Sequence, residues 1–251
     1  MSLFLRAILA LIHFLYSAYI FINTQWTYLQ RELANFIHPR TLNCLENILD
    51  ECDINKIKKL PRHLVIVVGI EDVSFSDLAR IIVWSIALGI PCISFYDKNG
   101  IIKQNSSILK KEFEKLKLNF PSRIIWMTKS DQKITNDTNG FKCTRVNFLS
   151  YEDGKPQIIN LTKEICQQVK SGLLKTDDIN QDFIDEKLKI DHFPDPDIAI
   201  VTGSKFSTFG LLPWHIRLTE FFHIPTHHNV LPKDFLNVLQ LFSRCQQRFG
   251  R

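Results

Sequence analysis

No Cys-x-x-Cys pair occurs in this sequence, although it holds six cysteines: Cys44, Cys52, Cys92, Cys143, Cys166 and Cys245. Structural zinc needs close ligand pairs, so no such site is expected. Gly69 follows a strand-like run, but no Gly-x-Gly-x-x-Gly or Walker loop accompanies it. A dinucleotide or ATP site therefore has little support. The Gly-x-Ser-x-Gly elbow of α/β-hydrolases is missing too. No internal repeat or low-complexity tract is visible. Neither sign of charge dominates: 31 Lys+Arg face 26 Asp+Glu, a net of +5, which does not indicate nucleic-acid binding. With 45% apolar and 23% charged residues, the 251-residue chain is not disordered, collagen-like or a disulfide scaffold.

What is present is unevenly spread. The mean hydropathy of −0.04 averages a greasy N-terminus with an ordinary polar-surfaced remainder. From Leu3 to Ile22 the chain is almost wholly apolar, broken only by Arg6, His13 and Ser17. Twenty helical residues span about 30 Å, enough for a bilayer core. Arg6 sits near one end and can snorkel, whereas His13 at the centre is costly in a strict span. Tyr16, Tyr19, Trp26 and Tyr28 suit an interfacial belt. A membrane anchor fits better than a signal peptide, which lacks a cleavage site, or a buried helix, since all sides are apolar. Arg31, Arg40, Lys56, Lys58, Lys59 and Arg62 favour a cytosolic C-terminal side, and scattered cysteines fit a reduced compartment. Against this stand three sequons, at Asn105, Asn136 and Asn160, which keep a lumenal domain open. Asn105 and Asn160 also fit helix N-caps. Cys92 and Cys166 lie in apolar patterns that suggest buried thiols.

Residues 1–23 are thus expected to be an anchor, 24–60 a helical connector and 61–251 the folded domain. In the connector, Leu29, Leu33, Phe36 and Ile37 recur at helical spacing until Pro39, and Leu42, Leu45, Ile48 and Leu49 form a second face. From Leu64 the pattern becomes strand and helix in alternation. Leu64–Val68 reads as a strand buried on both faces, Pro91–Tyr96 and Ile198–Val201 as further buried strands, and Ile124–Met127 and Thr144–Leu149 as strands. Helices are expected from Ser74 or Ser76 to Leu88, stopped by Gly89, and over Asn105–Leu118, Leu161–Leu174 and Ile179–Leu188. A last one opens at Pro232 and runs to about Gln247. The class is α/β with a mainly parallel sheet flanked by helices, plus an N-terminal membrane-anchoring helix.

Residues with chemical potential are few. Glu71 and Asp72 follow the first strand, where α/β proteins place ligands, but acids in a turn that opens a helix also suit its positive end. His227-His228 reads as a solvated loop pair, since metal binding would need further ligands. The Lys110-Lys111 to Lys117 run alternates with acids as a wet helix face does. The chain stops at Arg248-Phe249-Gly250-Arg251. Arginines and a glycine suit a helix C-terminus. Equally, Arg presents a planar fork to phosphate oxygens, and Gly lets a backbone N–H approach closely.

Several segments carry a resemblance. They are Phe75-Ser76-Asp77-Leu78, Trp84 with Gly89-Ile90, Ser94-Phe95-Tyr96-Asp97, Glu152-Asp153-Gly154-Lys155 and Pro194-Asp195-Pro196-Asp197. Gly210-Leu211-Leu212-Pro213-Trp214-His215-Ile216-Arg217-Leu218-Thr219-Glu220 and the terminal Arg248-x-Gly250 complete them. From His63 to Arg251 the chain resembles the cis-prenyltransferases, and more narrowly their non-catalytic eukaryotic branch of the Nogo-B receptor type. Catalytic members follow the first strand with Asp-Gly-Asn-Arg-Arg, whose Asp helps bind Mg²⁺ and the allylic diphosphate. Here Gly69 stands at the Asp position, followed by Ile70, and Glu71 is displaced by two. Catalytic members also carry Arg-Thr-Ser-Gly-x-x-Arg after a late strand. Here Val201-Thr202-Gly203-Ser204 opens that stretch, and Ser207 replaces the second Arg.

The resemblance implies a cis-prenyltransferase-like fold with no catalytic residue of its own. It implies that Arg248 and Gly250 cross to a catalytic partner, in a heterodimer or heterotetramer, and help bind isopentenyl diphosphate there. The partner would supply Mg²⁺ binding and the tunnel for the growing chain. The complex would extend farnesyl diphosphate to a long cis-polyprenyl diphosphate, the dolichol precursor for protein glycosylation, at the endoplasmic reticulum membrane. The alternative is a cell-surface or reticulum receptor or scaffold that uses the same fold to bind protein.

Overall fold

The computed structural model describes residues 3–37, 57–116, 123–127, 143–190 and 193–246. The chain divides into two compact units, Met1–Cys44 and Leu45–Arg251.

Among its described residues the first unit is one helix, α1 (Leu3–Ile37). Within it, Phe4–Ile22 is long and apolar enough to cross a membrane, and none of that stretch is buried. The helix continues without a break past residue 23. The second helical face, 42–49, lies outside the described residues.

Among its described residues the second unit is built on six strands, all parallel: β1 (His63–Val68), β2 (Cys92–Asp97), β3 (Arg123–Trp126), β4 (Cys143–Ser150), β5 (Ile198–Thr202) and β6 (Glu220–Ile224). Their order across the sheet is β3-β4-β2-β1-β5-β6. Helices α2 (Phe75–Leu88), α3 (Ile101–Gln104), α4 (Ser106–Lys115), α5 (Lys155–Lys170), α6 (Gln181–Leu188) and α7 (Pro232–Arg244) make the connections and the close.

β1, β2 and β5 are buried at every residue because both faces are covered, and they are accordingly mostly apolar. Side chains alternate along β1. Leu64, Ile66 and Val68 face one core, with α2 and α7 over it. Val65 and Val67 face a second, closed by Leu211 and Leu212. In the first core Trp84 of α2 packs on Phe235 of α7, ring centroids 5.7 Å apart. α2 stops where expected: Gly89 adopts the left-handed conformation, φ 80°, and its N–H closes the last turn on the Ile86 carbonyl.

Four expectations are corrected. β6 was not foreseen, because Glu-Phe-Phe-His-Ile at a sheet edge is mostly half-exposed rather than a buried run. α5 begins at Lys155, with Pro156 in its first turn, so Asn160 is inside the helix and no cap. Asn105 stands at the cap of α4 but does not accept from it. Its amide donates to the Ile101 carbonyl instead, at 2.9 Å. Cys92 is buried as expected, but Cys166 is exposed, since α5 buries none of its residues. Cys92, Cys166 and Cys245 are free thiols.

Candidate functional site

In an open parallel sheet, ligands bind beyond the C-terminal strand ends where connections leave in opposite directions. Here that point lies between β1 and β5. β1 connects outward to β2 on one side, while β5 and β6 lie on the other. The residues there are Gly69, Glu71, Thr202 and Gly203.

The crevice is occupied by the chain itself. The N–H of Gly69 donates to the Thr202 carbonyl at 3.0 Å, continuing the β1–β5 ladder one residue past the strand. A side chain at position 69 would run into that same oxygen, and the Phe209 ring stands 3.4 Å from where its Cβ would be. Phe209 is itself pinned. It adopts φ 50°, and its carbonyl accepts from the Tyr96 hydroxyl at 2.7 Å. Burial pushes that phenol up to about 12. A carboxylate at position 69 therefore has no room in this backbone.

Glu71 spans the gap. Its Oε1 accepts from the Thr202 hydroxyl at 2.8 Å and from His227 Nδ1 at 2.6 Å, and its Oε2 accepts from the Thr226 hydroxyl. Burial alone would raise the carboxyl. The donors from His227, Thr226 and Thr202 more than offset it and hold Glu71 at about 2, below its usual 4.5. His227 is fully buried rather than solvated. Its Nε2 accepts the Ser74 backbone N–H at 2.8 Å, so the proton resides on Nδ1 and is donated to Glu71. His228 Nε2 donates to the Asp72 carbonyl at 2.7 Å. Glu71, His227 and His228 have ligand atoms within 4.8 Å of one another, the only such trio among the described residues. They do not fit a cation. Both His227 nitrogens are engaged, His228 Nε2 holds its proton, and both Glu71 oxygens already accept bonds. Among the described residues no other group of His, Cys, Asp and Glu could hold an ion.

The other expected phosphate positions are also spent. Val201 is buried in the second core, and the Ser207 hydroxyl accepts from the Phe209 N–H at 3.2 Å. Motif residues shared with the family act here as fasteners. Asp197 Oδ2 accepts from the N–H groups of Arg62 (2.7 Å) and His63 (3.2 Å), fixing the start of β1. His63 Nδ1 donates to the Pro194 carbonyl and its Nε2 accepts from Ser94, while burial holds it neutral at about 4. Asp97 caps α3 through the N–H groups of Ile101 and Ile102. Asp153 pairs with Lys103 at 2.6 Å. On α4, Lys110 lies over Trp126 at 5.6 Å, so the basic face is not wholly wet. Arg248 and Gly250 lie outside the described residues.

In the sequence Glu71 and the two histidines stand apart, Ser74 and Thr202 carry no link to them, and Thr226 and Phe209 show no sign of a role. Only the fold brings them together, because Thr202 lies 131 positions from Glu71 and His227 lies 156.

Comparison with known proteins agrees with this fold. Residues 71–250 match the prenyltransferase family described as undecaprenyl diphosphate synthase. The dehydrodolichyl diphosphate synthase complex subunit NUS1 of Homo sapiens is 37% identical over 226 residues, covering 85% of this chain and 76% of that protein. The Mus musculus counterpart is 37% identical over 206 residues, covering 79% and 69%. Lavandulyl diphosphate synthase from Lavandula x intermedia, solved with dimethylallyl diphosphate, superimposes with a TM-score of 0.55 at 18% identity, over 76% of this chain and 98% of that one.

Proposed function

This chain belongs to the undecaprenyl diphosphate synthase family of prenyltransferases, and from that premise we propose that it is a non-catalytic, membrane-anchored subunit of a dehydrodolichyl diphosphate synthase complex. The observation that carries the reading is Gly69. The position that holds the family's catalytic carboxylate is closed by the Thr202 carbonyl and Phe209. A strongly anionic diphosphate and its Mg²⁺ need free carboxylates and arginines, and among its described residues this crevice offers no arginine and one carboxylate, Glu71, whose oxygens already accept from Thr202, Thr226 and His227.

The chemistry then belongs to a catalytic cis-prenyltransferase partner. That partner binds Mg²⁺ and adds isopentenyl diphosphate units to farnesyl diphosphate, giving the long cis-polyprenyl diphosphate from which dolichol for protein glycosylation is made. This chain contributes its C-terminal residues. Arg248 gives a charge-assisted contact to the isopentenyl diphosphate, and Gly250 lets the backbone come close. Surface for a partner is available: α5 has sixteen residues, none buried, and Ile159 on it is 53% exposed. Residues 1–23 anchor the chain in the endoplasmic reticulum membrane, 24–60 connect, and 61–251 form the cytosolic prenyltransferase-like domain. The location suits a lipid product.

Co-purification tests the reading. The full chain should bring down a catalytic cis-prenyltransferase, and prenyl transfer should be robust for the pair and absent for this chain alone. Robust transfer by the isolated chain would overturn it.

A further inference from the structure

Ile57 packs on the first core just ahead of β1, and Lys58, Lys59, Leu60 and Arg62 beside it are exposed. This short segment lies against the end of α7. The Lys59 ammonium stands 4.9 Å from the centre of the Phe242 ring. Burial pushes the nearby Cys245 thiol up, Glu220 raises it further, and Lys59 pulls it down, so both charges are close to it. That thiol donates to the Leu241 carbonyl at 3.4 Å, and Arg244 beside it is exposed. The segment before β1 and the last turn of α7 thus share one surface, at the end of the sheet where β1 starts and away from the crevice.

The charge on this surface is one-sided. Residues 57–62 and 237–246 hold four cations and no acid, in a chain whose totals are 31 against 26. The acids that come near belong to other segments. Asp197 is buried and occupied by the N–H groups of Arg62 and His63, and Glu220 is half-buried. Two leucines sit among the cations, Leu60 at 38% and Leu241 at 50% exposure. Cations interleaved with apolar side chains suit the boundary between lipid headgroups and acyl chains.

We infer that this surface rests on anionic lipid headgroups, with Lys58, Lys59, Arg62 and Arg244 facing the lipid phosphates and carboxylates and Leu60 and Leu241 dipping between them. The inference rests on the reading of residues 3–22 as a membrane anchor, which keeps a bilayer within reach of the domain. An anionic leaflet attracts each cation within a Debye length, about 8 Å at physiological salt. One such weak signal does not hold a protein on a membrane. In a chain that is already tethered the contact is intramolecular, so a weak attraction is enough to populate it. The surface then orients the domain rather than anchoring it.

The test uses the full chain in phosphatidylcholine vesicles, with or without phosphatidylserine, that carry a little lipid spin-labelled at the headgroup. A fluorescent amino acid is placed at Asn237, exposed and one turn before Leu241, or at Cys166 on α5 as reference. Phosphatidylserine should increase quenching at 237 and not at 166, and high salt should reverse it. Each cation favours the contact roughly fivefold, so Lys58→Gln with Arg244→Gln should lower the ratio of docked to undocked domain about twenty-fivefold. Adding Lys59→Gln should bring the loss to about a hundredfold. The double variant leaves the Lys59–Phe242 contact in place, so it decides the matter if the triple variant does not fold. Should the chain float with the vesicles while quenching at 237 ignores lipid charge or both sets of substitutions, the inference fails and the anchor stands. Equal quenching at 237 and 166 also overturns it, as does loss of the 237 signal when the catalytic subunit is added, which would make the surface a protein interface. A full chain that does not float overturns the anchor as well.

Discussion

The N–H of Gly69 donates to the carbonyl of Thr202 at 3.0 Å, and that same oxygen fills the space a side chain on Gly69 would need. A side chain at position 69 is therefore excluded by the backbone around it. Gly69→Asp should not confer Mg²⁺-dependent prenyl transfer on the isolated chain. It should destabilise the domain by about 1–3 kcal/mol through overpacking against β5 and Phe209. Urea unfolding and a transfer assay of the same preparation check both statements.

Glu71 makes stability depend on acid. Its pKa falls from 4.5 to about 2 on folding, so its contribution is fully present above 4.5 and is lost as pH falls toward 2. That shift is worth at most about 3 kcal/mol. His63 acts earlier. Held neutral at about 4 against 6.5 when free, it withdraws its contribution as pH falls from 6.5 toward 4. Unfolding free energy followed from pH 7 to pH 2.5 should show both losses, and Glu71→Gln should flatten the lower one.

Asp197 should matter for folding and not for chemistry. Asp197→Ala leaves the N–H groups of Arg62 and His63 without their acceptor at the start of the central strand, at a cost of about 1–3 kcal/mol. The Arg62 ion pair adds little, because at 3.7 Å its side chain is 75% exposed. Chemical denaturation should report the loss, while prenyl transfer per mole of folded complex stays the same.

Much of the sheet was legible because β1, β2 and β5 are buried on both faces, and a run such as Leu64–Val68 has no polar residue to hide it. β6 escaped for the opposite reason: Glu220 and His223 interrupt an edge strand that water partly reaches. The erased positions, Gly69, Val201 and Ser207, could be read from the sequence. What fills them could not. Phe209 reaches Gly69 from far along the chain, and His227 looked solvated because nothing nearby in sequence announces a buried carboxylate for it. Long-range polar pairs leave no periodic trace, unlike a helix face or a strand.

Removing residues 3–22 should release the chain from membranes. Twenty helical residues of this almost wholly apolar kind span a bilayer core, and without them no other segment among the described residues is long and apolar enough. Flotation on a density gradient, with and without those residues, measures this. Retention of the truncated chain on membranes would mean that another surface holds it there.

The central claim is that this chain finishes another chain's active site. The most direct measurement is prenyl transfer by the purified complex carrying Arg248→Ala. Losing a charge-assisted phosphate contact of about 1.5–3 kcal/mol predicts a fall of roughly tenfold to over a hundredfold, with the complex still assembled. Full activity in that variant would contradict the account.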